Sequence, residues 1–265
     1  METSMQSDWN YVKKTTLWNY EDLIKKLRVL MAYPVIWKAY NHDIAQATVF
    51  AIRLFPDTNI EAGEYPAQIL DTIAHLKLAN ISDWGNLLAK ITSREACMAF
   101  VTENNLNFEK FIDLLNYLLR WAFPFLTASR ELLAHENTLE MSYYPILKQH
   151  GLMNSFDILN QGYILECRGA LAERTSLPQD FVTCLVHRAD IARLPYVRRK
   201  TILPVCGAGY DTLAKIAAAN LAQMEADLEA YFHRIQGIPW KNYKSVIVLR
   251  GMVAAARALP VLLEG

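Results

Sequence analysis

The stretch Phe108-Glu109-Lys110-Phe111-Ile112-Asp113-Leu114-Leu115-Asn116-Tyr117-Leu118-Leu119-Arg120-Trp121-Ala122 decides the fold class. Its apolar side chains recur at 108, 111, 112, 115, 118, 119 and 122, the three-or-four spacing that lines one side of a helix. The most apolar run, Leu114 to Leu126, contains Asn116, Arg120 and Pro124, so it is too short and too interrupted to span a bilayer and reads as a core helix.

The same period appears further along. Leu213, Ile216, Ala217, Leu221, Met224, Leu228, Tyr231 and Phe232 mark a second helix face, with Asp211 and Thr212 just before it as cap candidates. Val246, Leu249, Val253 and Ala256 mark a third. Strand-like alternation is rare, so the expectation is an all-α protein: a helical N-terminal region packed on a C-terminal array of helix-hairpin-helix-like units.

Turn signals divide these helices. Phe55-Pro56-Asp57 and Ala62-Gly63-Glu64-Tyr65-Pro66 bracket a loop, and Gln236-Gly237-Ile238-Pro239-Trp240 precedes the last helix. Polar His135-Glu136-Asn137-Thr138, followed by Tyr143-Tyr144-Pro145, places the division between a region 1–145 and a domain 146–265.

The chain also echoes itself. Residues 93–125 resemble 167–197: each segment opens on an Arg (Arg94, Arg168), restarts near a Leu (Leu106, Leu177) and closes on apolar-Pro-aromatic at Phe123-Pro124-Phe125 and Leu194-Pro195-Tyr196. The first region is therefore expected to hold a degenerate copy of the repeat within 69–125. A shorter echo pairs Leu147 to Gly151 with Leu203 to Gly207, each followed by a cap-like residue and a new apolar helix. Glycine after the last apolar residue supplies the left-handed conformation that stops a helix.

Between about Ile146 and Pro260 the chain resembles an uncharacterised bacterial family of helix-hairpin-helix-like domains of unknown function. The matching residues are Cys167 to Ala172, Thr175-Ser176-Leu177, Arg188 to Leu194, Gly209 to Leu213, Ala219-Asn220-Leu221 and Arg257 to Pro260. The resemblance implies a fold and no activity, and it does not cover residues 1–145. One departure matters for nucleic acid. A DNA-binding hairpin carries a Gly-x-Gly turn whose bare amides approach a phosphate, whereas Tyr196 and Arg198 stand in those places here.

Three groups of residues are candidates for function. Arg193, Arg198, Arg199 and Lys200 form a basic stretch that could neutralise phosphates without reading sequence, or be a solvated turn with structural pairings. Arg168 and Asp190 lie in the two best-matching motifs and are expected to pair across helices, since Arg grips a carboxylate bidentately. Tyr33, Trp37 and Tyr40 share helical spacing in an aromatic-rich N-terminal part; they could line a pocket, or dock that part onto the rest, with Pro34 in a first turn.

Composition excludes other classes. Of the 265 residues 52% are apolar and 20% charged, which disordered chains do not reach. Twenty-seven basic residues balance 27 acidic ones, so no global field favours nucleic acid or an anionic membrane, and any such contact must come from a local patch. Cys97, Cys167, Cys184 and Cys206 are dispersed and read as free thiols; the six histidines show no metal spacing. The first residues carry no leader pattern, so a cytoplasmic location is expected. No cofactor, metal or membrane association is expected. The favoured function is a non-catalytic macromolecular interaction module, with a protein partner, self-association or weak nucleic-acid binding. The alternative is a helical enzyme or small-molecule binder using the aromatic N-terminal region.

Overall fold

The computed structural model describes residues 2–55, 63–195, 197, 199–235 and 249–263, and these are helical, with no strand among them beyond two isolated β-bridges, Asp43–Asp83 and Ala128–Asn154. They form two compact units, one up to Pro124 and one from Phe125 onward. Among the described residues no helix is long and apolar enough to cross a membrane.

The first unit contains α1 (Glu2–Thr16), α2 (Tyr20–Met31), α3 (Pro34–Tyr40), α4 (Ile44–Leu54), α5 (Tyr65–Leu78), α6 (Trp84–Lys90), α7 (Arg94–Glu103) and α8 (Phe108–Tyr117). Phe111, Ile112, Leu115 and Leu118 are buried, as the spacing of that stretch requires. Beyond Tyr117 the helix widens into a single π turn, Leu118–Ala122, and stops at Phe123. Much of the aromatic N-terminal part enters this core. Trp9 meets Tyr20 and Phe108 edge-on, the Tyr11 hydroxyl donates to Asp113, and the buried Tyr20 hydroxyl donates to the Ile91 carbonyl. Tyr20 thereby gains aromatic contact area without stranding its polar end.

The second unit contains α9 (Thr138–Gln149), α10 (Ser155–Gly162), α11 (Leu165–Thr175), α12 (Gln179–Ile191), α13 (Arg199–Gly207), α14 (Leu213–Ala218), α15 (Leu221–Ile235) and α16 (Leu249–Ala258). It begins earlier than the expected boundary at 146. The 3-10 turn Ser129–Leu132 and α9 belong to it: Ser129 N–H donates to Met153, Ser155 N–H donates to Thr127, and Arg188 on α12 reaches back to the Leu132 carbonyl. The polar stretch at 135–138 is a cap, since the Asn137 side chain accepts from Leu139 and Glu140 N–H. Pro145 lies inside α9, removing one helical donor there.

The helix expected from Leu213 to Phe232 is two helices. Asn220 accepts from Ala222 and Gln223 N–H and so starts α15 afresh. Val246 and the loop 236–240 lie outside the described residues, as do Pro56 and Asp57.

Left-handed residues punctuate the helices at several turns. The left-handed residues Asn80 (φ 54°) and Gly151 (φ 72°) stop α5 and α9, and three residues later Asp83 and Asn154 cap α6 and α10. Gly209 (φ 99°) and the Thr212 cap repeat the arrangement before α14. Asn105 (φ 51°) and Ser176 (φ 53°) turn α7 into α8 and α11 into α12, with the N-cap position two residues later, at Asn107 and Pro178. This register differs from the sequence reading at two places. Arg94 opens α7 where Leu165 opens α11, so Arg168 has moved inward along its helix. Gly151 corresponds to Gly209 and not to Gly207, where a Cβ would come within 2.3 Å of the Tyr231 ring.

Candidate interaction surface

Of the sequence candidates, all but Arg198 fall among the described residues. Asp190, at the end of α12, is buried, and the Arg193 guanidinium, 1% exposed, holds its carboxylate at 2.6 and 2.8 Å. The three-residue spacing brings the two onto one side of the last turn. Arg193 also donates to the Pro260 carbonyl at 3.0 Å, tying that turn to the chain beyond α16. This corrects two expectations. Arg193 cannot contact a phosphate, because its charge is spent inside the fold. The ion pair of Asp190 is with Arg193, while Arg168, itself buried on α11, donates to the carbonyls of Gly162 and Tyr163.

The rest of the basic stretch is also partly occupied. Arg199 lies 3.7 Å from Glu131 and 3.6 Å from Glu136, and Lys200 is exposed on α13. Tyr196 and Arg198 lie outside the described residues. Among the described residues of that stretch, Lys200 faces solvent and takes part in no ion pair.

A stronger pairing was not visible in the sequence. Arg188 on α12 clamps Glu140 on α9 bidentately, at 2.7 and 3.1 Å, with both side chains mostly buried. Burial pushes the Glu140 carboxyl up, but the Arg188 bonds and charge and the Ala134 N–H outweigh it and hold the group below the usual carboxylate value. Nearby, burial raises the Cys184 thiol and pushes Cys206 up to about 12, so neither is a thiolate at neutral pH. The arrangement stabilises the unit and offers no activated nucleophile.

Tyr33, Trp37 and Tyr40 sit in three different settings. Pro34 occupies the first turn of α3, as its fixed φ favours. Tyr40 is 1% exposed, in the core, with its ring stacked near His42. Tyr33 is half-buried at the helix start. Trp37 is 45% exposed, and its indole lies over Gly85 so closely that a Cβ there would come within 2.1 Å of it. Gly85 N–H donates to the Asn41 side chain and Trp84 N–H to the His42 carbonyl. The small residue thus seats the indole against α6. Burial lowers the pKa of His42 and keeps it neutral.

The turn between α1 and α2 is the feature that sequence reading passed over. Leu17 adopts φ 68°, in the left-handed region, and is 71% exposed; Trp18 follows at 41%. A bulky L-residue in that conformation costs about 1–2 kcal/mol. The turn is nonetheless well determined. Leu17 N–H donates to the Lys13 carbonyl, Trp18 N–H donates to the Thr16 hydroxyl oxygen, and Asn19 caps α2 by accepting from Asp22 N–H. The α7–α8 and α11–α12 turns place polar Asn105 and Ser176 in the left-handed position and follow them with half-buried Leu106 and buried Leu177. A left-handed turn between helices therefore does not call for leucine, and Leu17 at 71% exposure recovers little burial in return. Lys26 Nζ sits 3.9 Å from the Trp18 ring centroid, and Lys13, Lys14 and Lys25, on the two helices that flank the turn, are exposed. Of the neighbouring carboxylates, Glu21 is bridged to Arg94 at 2.7 Å, which lowers its pKa. The only sequence signal was the apolar pair Leu17-Trp18 set between Lys13-Lys14 and the Asn19 cap, and exposed apolar residues are too common to stand out.

The chain matches no known family, no curated protein and no solved structure.

Proposed function

We propose that this protein is a non-catalytic interaction module of helix-hairpin-helix-like repeats whose contact point is the Leu17–Trp18 turn. One observation carries the reading: a well hydrogen-bonded turn holds a leucine in a costly conformation and leaves it 71% exposed. Conformational cost retained without burial is explained when the side chain is buried by something else. Within the first unit, the Asn19 cap and the packing of Trp9 and Tyr20 hold the two helices that present the turn. The free cysteines accord with a reducing compartment such as the cytoplasm.

A photo-crosslinking residue placed at Trp18 in cells tests this, with the same residue at Leu78 as control, an isolated apolar side chain 80% exposed. Adducts specific to position 18 support the module. Equal or absent adducts at the two positions sink it.

A further inference from the structure

Resting on that reading, we propose that the partner of the Leu17–Trp18 turn is an anionic lipid surface, engaged peripherally and reversibly. The argument begins with shape. Leu17 and Trp18 stand at the bend between two helices, so they project as a point, which an interfacial layer can accept without a matching pocket. Leucine brings apolar area, and the indole brings an apolar body with a polar N–H, the combination that settles at membrane interfaces.

The charges agree. Lys13, Lys14 and Lys25 are exposed and Lys26 lies over the indole, and none of the four takes part in an ion pair among the described residues. Their stems can lie along the buried side chains while the ammonium groups stay at headgroup level. Asp22 is engaged by Asn19, whose side-chain amide donates to it at 2.9 Å, and Glu21 is engaged by Arg94. A single apolar insertion is weak, so the lysines of the two flanking helices supply the second signal that reversible anchoring needs. Nucleobase stacking fits less well, because Lys26 already covers one face of Trp18.

The test is flotation of the full chain with phosphatidylcholine vesicles, with and without phosphatidylglycerol, at low and high salt. Binding is expected only with the anionic lipid, and it weakens as salt rises. Leu17→Asn, which places at this turn the residue that stands at 105, should fold normally and lose about tenfold or more in binding. Lys13→Gln with Lys14→Gln should lose about fivefold per charge. Absence of wild-type binding to anionic vesicles, or binding that Leu17→Asn and Trp18→Ser leave unchanged, overturns the proposal. A labelled single-stranded oligonucleotide run in parallel separates the sources: binding to it alone also overturns the lipid assignment. Protein adducts at position 18 without vesicle binding would refute the lipid partner and leave the module standing, whereas no adducts of any kind would refute both.

Discussion

Replacing Arg193 by Ala should be among the most damaging single changes in the second unit. Its guanidinium is 1% exposed and supplies both the countercharge of Asp190 and a donor to the Pro260 carbonyl. Removing it leaves a buried carboxylate without that partner, a class of change that costs about 3–5 kcal/mol. For a unit of this size that corresponds to a fall of roughly 10–20 °C in the melting temperature. Asp190→Asn should also destabilise, and the double variant should lose clearly less than the sum of the singles, with a coupling of at least about 1 kcal/mol. Thermal unfolding followed by circular dichroism and calorimetry measures all four corners of the cycle. The matching cycle with Arg168→Ala should show the smaller coupling to Asp190, because Arg168 donates to the Gly162 and Tyr163 carbonyls. Additive losses for 190 with 193, or a larger coupling for 190 with 168, would refute the reasoning.

Further consequences concern pH and packing. Glu140 has a folded pKa below its unfolded value, so the stability it contributes is present at neutral pH and is lost as pH falls below about 4.3 and through the lower folded value. Glu140→Gln should therefore be less stable at neutral pH and flatter across the acid limb of a denaturation series. His42 is a base whose pKa burial lowers, so the unfolded chain binds its proton first and stability declines as pH drops below about 6.5; its imidazole signals in a proton NMR titration should show a midpoint under that value. Gly85→Ala should displace the Trp37 indole and change the near-ultraviolet circular dichroism at a cost of about 1 kcal/mol, since the ring is half exposed and can swing aside. Gly162→Ala meets the buried, stiff Val186 at 2.6 Å and should cost more, about 1–3 kcal/mol in chemical denaturation.

The parts of this fold that were legible in the sequence are those fixed within a few turns of helix. The 108–122 face, the Pro34 start of α3 and the Thr212 cap follow from spacing and from side chains that bond their own backbone. The unit boundary was not legible, because what assigns 125–145 to the second unit is Arg188 reaching Glu140 and Leu132 from a distant part of the chain. The Asp190–Arg193 pair lies at ordinary helical spacing and was legible in principle, but spacing alone does not say which of two arginines a buried carboxylate meets. Leu17 illustrates a different limit. Its residue type says nothing about φ, and only the backbone reveals that a bulky side chain stands where Asn105 and Ser176 mark a position suited to small polar groups.

The central claim is that Leu17 is retained for a partner and not for the fold, and the stability of Leu17→Asn measures this directly. Asparagine tolerates the left-handed conformation better than leucine, and the side chain it replaces is 71% exposed. Equilibrium unfolding in urea should show the variant equal to the wild type or more stable by up to about 1 kcal/mol. A variant destabilised by more than about 1 kcal/mol, the range of a lost packing contact, would show that Leu17 serves the fold and would contradict the account.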